Sequence, residues 1–156
     1  MGWQEAQDSY RGRCYRHAPR HRVAVPGHAG SAFDSLMRLS LKTKITTPRM
    51  DDTAAFYRRV FSMQVAEEWD EEDDRGVILA FPDSREEAYL EIYHGDVEPD
   101  FSCLSLQFKV DDLAGFKAAL PVDIESKGPI ARPWGSSYLY LRDPNGVQVI
   151  VYEGGL

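Results

Sequence analysis

The chain has 156 residues, 43% of them hydrophobic and 28% charged, with a formal net charge of −7 at pH 7. That length suits one domain with its own core; no apolar run approaches the roughly 20 residues that cross a bilayer, and an acidic chain lacks the basic footprint that a phosphate backbone requires. Neither a membrane nor a nucleic acid is an expected partner. The two cysteines, Cys14 and Cys103, have no evident reason to meet and no apolar secretory segment precedes them, which reads as a reduced, cytoplasmic protein.

Residues 1–36 differ from everything after them. Arg11, Arg13, Arg16, Arg20 and Arg22 are interspersed with His17, His21, Pro19 and Pro26, and no hydrophobic period emerges. Such a segment is expected to be a disordered or dispensable leader; Glu5, Asp8 and Asp34 spoil the acid-poor composition of a transit peptide. The domain is read as 37–156, with Met37 opening its first strand-like run.

From Arg38 to Thr47, Leu39, Leu41, Thr43 and Ile45 alternate with polar residues, the period of a half-buried strand. Pro48 ends it. Met50, Ala54, Tyr57 and Phe61 then recur at helical spacing, with Asp51 and Asp52 suiting the positive end of the helix dipole. Residues 64–69, 77–81 and 87–93 read as strands, the first two separated by the acidic run Asp70–Asp74, taken as a solvated turn. After a polar connector the order begins again: a strand over 103–110, a helix capped by Asp111 or Asp112 and stopped by Pro121, a short strand over 122–125, a loop over 126–135, and a terminal hairpin. The hairpin's turn, Asp143-Pro-Asn-Gly146, is chemically explicit, since proline fixes the first corner and Asn-Gly tolerates positive φ. The chain therefore predicts an α+β fold of two βαβββ modules, 37–97 and 102–156, forming a half-barrel of mixed sheets with helices outside.

Several segments in this order carry a resemblance: Phe56-Tyr57-x-x-Val60-Phe61-x-Met63, then Pro133-Trp134-Gly135, then Asp143-Pro-Asn-Gly146, with Glu153 soon after. Residues 37–153 resemble the vicinal oxygen chelate superfamily of glyoxalases, extradiol dioxygenases and bleomycin-resistance proteins. Two departures stand out. Ser62 occupies a position where the family usually has glycine, and Arg49 one where an acidic helix cap is common.

The resemblance implies four metal-ligand positions on the concave face of the sheets, on the first and last strands of each module. Counting from the matched segments puts Lys42, Glu91, Ser105 and Ile150 there, so that Glu91 alone could ligate. Composition points the same way. Of the 4 histidines, His17, His21 and His28 lie in the leader, leaving His94 in the domain, and one histidine cannot complete a site of two histidines and a carboxylate. His94, out of phase with Glu91, is expected in a surface or structural role.

Strand parity indicates what lines the concavity instead. With Leu104, Leu106, Phe108, Val110, Val147, Val149, Val151, Leu90 and Ile92 assigned to the core, the concave face takes Ser105, Gln107 and Lys109, then Gln148, Ile150 and Tyr152, then Tyr89, Glu91 and Tyr93. Such a mixed wall suits a flat organic ligand, and it equally suits tyrosines that merely fill a closed half-barrel. The expected ligand-binding set is Lys42, Tyr89, Glu91, Tyr93, Ser105, Gln107, Trp134, Ile150 and Tyr152, without a metal or other cofactor. The expected function is sequestration of an aromatic or cationic small molecule by a homodimer. The alternatives are a glyoxalase-like lyase, isomerase or dioxygenase using Glu91 as acid or base or in an atypical metal site, and a scaffold. Lys42 is expected to pair with Glu91, or Lys44 in its place if the register differs.

Overall fold

The computed structural model describes residues 40–82, 88–97 and 99–155; the expectation for residues 1–36 lies outside them. Ten elements form the expected tandem. The first module is β1 (Leu41–Thr47), α1 (Met50–Phe61), β2 (Gln64–Glu71), β3 (Asp74–Ala80) and β4 (Ala88–His94). The second is β5 (Ser105–Lys109), α2 (Leu113–Ala118), β6 (Lys127–Ala131), β7 (Ser137–Arg142) and β8 (Gln148–Glu153). Each module contributes a four-stranded sheet, in the orders β1-β4-β3-β2 and β5-β8-β7-β6, with β1 parallel to β4, β5 parallel to β8, and the other pairs antiparallel.

Alternation decides the faces. Ile45, Val77, Leu79, Leu90 and Ile92 of the first sheet and Leu139, Leu141, Val149 and Val151 of the second are buried in one core with Phe56, Tyr57 and Val60 of α1. Burying a side chain of this size stabilises by about 1.5–3 kcal/mol before entropy is charged against it. Arg49 precedes α1 without a side-chain cap, and Thr47 and Thr53 serve its backbone: Arg49 N donates to Thr47 Oγ1 (3.0 Å), and Thr53 Oγ1 donates to Arg49 O (2.7 Å). Ser62 closes α1 at φ 54°, the left-handed conformation that glycine adopts without strain. At α2 the cap is Asp112, whose Oδ1 accepts from Gly115 N at 2.8 Å, while Glu153 Oε2 accepts from Leu113 N.

Two boundaries differ from expectation. The acidic run is not a five-residue turn, because β2 extends to Glu71 and β3 starts at Asp74; Arg75 offsets the charge through Asp70 (3.4 Å) and Asp51 (2.8 Å). The short strand expected over 122–125 is a turn, with Val122 fully exposed and Ile124 N donating to Pro121 O. The third strand of the second module is β6, inside the expected loop of 126–135. Pro129 hides it, since proline argues against a central strand; β6 is an edge strand with a register shift between Lys127 and Ile130, where a missing N–H is tolerated.

The terminal turn also joins the modules. Gly146 N donates to Asp143 O, and the positive φ falls on Gly146 (81°). Asp143 Oδ1 accepts from Asn145 N (2.8 Å) and Val147 N (2.9 Å), and its Oδ2 accepts from the Tyr57 hydroxyl of α1 (3.2 Å). Asn145 accepts from Thr47 Oγ1 (2.5 Å) and donates to Thr53 Oγ1 (2.8 Å). Burial pushes the Asp143 carboxyl up against the opposing effect of these donors, and burial beside Asp143 pushes the Tyr57 hydroxyl up strongly.

Candidate functional site

On the concave face of the first sheet, β1 lies beside β4 with Lys42 opposite Tyr89, Lys44 opposite Glu91 and Thr46 opposite Tyr93. Glu91 sits in the middle, 6% exposed. Its two oxygens are divided between two ammonium groups, Oε2 at 2.5 Å from Lys42 Nζ and Oε1 at 2.9 Å from Lys44 Nζ. The expected Lys42 pair is therefore present, and Lys44 joins it. Hydrogen bonds from Lys42 and then Lys44 hold the Glu91 carboxyl below the usual glutamate range, outweighing burial, which acts upward. Lys44 Nζ also lies 3.7 Å from the centroid of the Tyr93 ring. Trp69 of β2 donates from Nε1 to Asp74 at 2.7 Å, and its ring covers Gly76, where any Cβ would collide with it.

The second sheet repeats this register with other chemistry. Ser105 lies opposite Gln148, Gln107 opposite Ile150 and Lys109 opposite Tyr152, so Ile150 stands where the first sheet has Glu91. Tyr138 and Tyr140 of β7 pair with Tyr152 and Ile150, and the Tyr138 ring lies 5.7 Å from that of Tyr152 and 6.3 Å from that of Tyr140. Arg132 points among these rings, its Cζ at 6.0, 5.5 and 5.6 Å from the centroids of Trp134, Tyr138 and Tyr140. Its Nη2 donates to the Tyr140 hydroxyl. Sequence reading alone passes over Tyr138, Tyr140 and Arg132; placing Leu139 and Leu141 in the core would turn both tyrosines to this face.

The expected ligand-binding residues fall into three places. Lys42, Glu91 and Tyr93 cluster on the first sheet, and Ile150, Tyr152 and Trp134 on the second, with Trp134 52% exposed at its margin. Tyr89, Ser105 and Gln107 line a cavity of about 780 Å³ together with Leu41, Thr43, Leu90, Leu106 and Phe108, residues of the opposite parity. That cavity lies on the helix side, between the edge strands β1 and β5. His94 is exposed, 3.8 Å from Asp96.

A sequence profile of the Glyoxalase/Bleomycin resistance protein/Dioxygenase superfamily matches residues 38–151. The chain belongs to this superfamily. Similar solved structures include TnmS3, an antibiotic binding protein from Streptomyces sp. CB03234 (16% identity, TM-score 0.64, 77% of this chain and 98% of that one). Lactoylglutathione lyase from Agrobacterium tumefaciens (23%, 0.57, 74% and 93%) and a bleomycin-binding protein complexed with bleomycin (20%, 0.54, 76% and 100%) are similar too. No curated protein matches the chain in sequence. At these identities the structures establish the fold.

A metal does not fit the residues at the positions that the resemblance implies. Lys42 and Lys44 occupy both Glu91 oxygens with positive charge, Ile150 has no donor atom, and no three His, Cys, Asp or Glu side chains among the described residues lie close enough to share an ion. No helix among the described residues is long and apolar enough to cross a membrane.

Proposed function

We propose that this superfamily member binds an aromatic small molecule on its concave faces without a metal. The observation that carries this reading is Glu91, a carboxylate in the place of a metal ligand whose two oxygens are already satisfied by ammonium groups. An already neutralised carboxylate offers little to a cation, which favours the aromatic ligand over the cationic one. The second sheet supplies the matching surface: Trp134, Tyr138, Tyr140 and Tyr152 offer ring faces and edges for stacking, and Arg132 a planar cation. Acid or base catalysis near neutral pH calls for a carboxyl pushed upward, whereas Glu91 is pulled down.

A homodimer in the cytoplasm completes the proposal. Ring and ion-pair contacts between the modules run through the helix side, Tyr57 and Phe61 to Phe108 and Arg59 to Asp123, so a second copy would close each concave face. The test is a thermal-shift titration with bleomycin and a panel of planar aromatic compounds, before and after EDTA. A ligand at 100 times its Kd stabilises by about 2.7 kcal/mol. The expected result is an upward shift that is unchanged by the chelator and reduced in Tyr138→Ala; a shift abolished by EDTA, or none with any compound, would overturn the reading.

A further inference from the structure

The cavity between the modules is distinct from the ion triad and the tyrosine wall, and Tyr89, Ser105, Gln107 and Lys109, of concave parity, contribute to its lining. Its wall takes Leu41 and Thr43 of β1 and Leu90 of β4, on the core face of the first sheet, together with the last turn of α1, Phe116 and Ala119 from α2 and its C-terminal edge, and β5. None of Lys42, Glu91, Tyr93, Tyr138, Tyr140 or Tyr152 lines it. We propose that it is a second binding site, for an apolar aromatic molecule carrying one acidic group.

Size and lining argue for a small molecule. About 780 Å³ lies within the range of roughly 300–1,000 Å³ typical of ligand pockets. Phe61, Phe81, Phe108 and Phe116 form a connected aromatic group in its wall, with ring centroids 4.2 Å apart for Phe61–Phe108, 5.6 Å for Phe61–Phe116 and 5.9 Å for Phe81–Phe108. Leu106 and Met63 extend the apolar surface. A wall of phenylalanine rings gives an incoming aromatic ring surface to pack against in offset or edge-to-face fashion.

Charge decides the rest. In a chain of net charge −7, the charged residues that line this cavity among the described residues are Arg59 and Lys109, with no carboxylate among them. Arg59 is committed to Asp123 through two bonds of 3.1 and 2.7 Å. Lys109 forms no ion pair among the described residues. Lys109 lines the cavity and is the cation it offers to a carboxylate, sulfonate or phenolate whose ring lies among the phenylalanines.

The probe is 1-anilinonaphthalene-8-sulfonate, with N-phenyl-1-naphthylamine as its uncharged analogue, each followed by fluorescence on protein that melts cooperatively. The expected result is saturable enhancement with the sulfonate, lost in Leu106→Trp, which fills the chamber, and weakened about five- to tenfold in Lys109→Glu. The uncharged analogue is expected to bind both wild type and Lys109→Glu with equal affinity. Because Leu106 also touches the core, the exposed Lys109 provides a variant that leaves packing intact. Tyr138→Ala separates this site from the concave one: enhancement lost in Tyr138→Ala but retained in Leu106→Trp would overturn the proposal, whatever becomes of the concave reading. It would equally be overturned if both probes lost affinity alike in Lys109→Glu, or if sedimentation showed that the probe dissociates a dimer, which would assign the cavity to a second copy.

Discussion

The two modules share a backbone register and differ in what they put on it. On the core face, equivalent positions hold interchangeable residues: Leu79 and Leu141, Val77 and Leu139, Leu90 and Val149, Ile92 and Val151, all 4% exposed or less. On the concave face the equivalents are Glu91 and Ile150, Lys44 and Gln107, Gly76 and Tyr138, Ile78 and Tyr140. One face must exclude water and is limited to apolar shapes. The other is free of that demand, and it holds an ion triad in one module and a tyrosine wall in the other. Between these two modules the chemistry differs on the concave face while the packing repeats on the core face.

The largest effect is expected where the modules are tied together. Asp143→Ala would remove the acceptor of Tyr57 Oη, Asn145 N and Val147 N at once, leaving buried donors unmet at a cost of about 4 kcal/mol. Urea denaturation should show this loss, with Asp143→Asn, which keeps an acceptor, costing less than half as much. Equal costs would mean that the carboxylate's bonds do not hold the junction.

The core faces should prove equivalent. Leu79→Ala and Leu141→Ala, both at fully buried positions, are each expected to cost about 3 kcal/mol by loss of transfer energy and by cavity formation. Matching urea midpoints would confirm that the modules are packed alike. A cost below about 1 kcal/mol in one of them would show that its sheet can collapse where the other cannot.

Much of the core face is legible in the sequence because burial writes itself into alternation: the pattern turns Val147, Val149 and Val151 inward, and each is fully buried. The Asp-Pro-Asn-Gly turn is legible as a turn, but its service to Thr47, Thr53 and Tyr57 depends on tertiary placement that local sequence does not encode. β6 escapes notice because Pro129 speaks against a strand and only an edge position forgives it. The side-by-side placement of β1 and β4 is what the resemblance implies, but the register sets Lys44 directly opposite Glu91, and Lys42 reaches the carboxylate from opposite Tyr89. Parity alone groups Tyr89, Ser105 and Gln107 with the concave wall; they also line the cavity, Ser105 and Gln107 from β5 at a sheet edge, where both faces of a strand can meet one space, and Tyr89 from the start of β4 beside the edge strand β1.

Trp134 sharpens the contrast from the second module. A large ring fixed between Pro133 and Gly135 suggests a core residue worth several kcal/mol, but with half its surface exposed Trp134→Ala should cost only about 1 kcal/mol of stability. Its ring lies 6.1 Å from that of Tyr138, so the larger effect is expected on aromatic ligands. Quenching of its fluorescence by such a ligand, and weaker binding in the alanine variant at nearly unchanged urea midpoint, would place Trp134 at the ligand; a stability loss near roughly 4 kcal/mol, as for a ring truncated in a core, would make it structural instead.

The smallest expected effect tests the first module's triad. Lys42 and Lys44 keep 49% and 47% of their side-chain surface, so water can take over an ammonium that loses its partner, and Glu91→Gln should cost about 0.5 kcal/mol at pH 7 instead of the several expected of a fully buried pair. The pH dependence carries more information than the magnitude. Because the folded carboxyl titrates below its unfolded value of about 4.3, its contribution is present above that pH and is lost as pH falls through the lower, folded value. Asp143 acts with the opposite sign: its carboxyl is raised by burial, so stability is gained as pH falls through its folded pKa. Measuring urea midpoints from pH 7 to pH 3 in the Asp143→Asn background isolates Glu91. There the stability gap between the background alone and the background that also carries Glu91→Gln should close as the medium turns acidic. Lys42→Met and Lys44→Met should each reduce that gap, since each ammonium serves one oxygen. A gap that widens toward low pH would mean that Glu91 is raised instead of lowered, and would return it to the role of a proton donor.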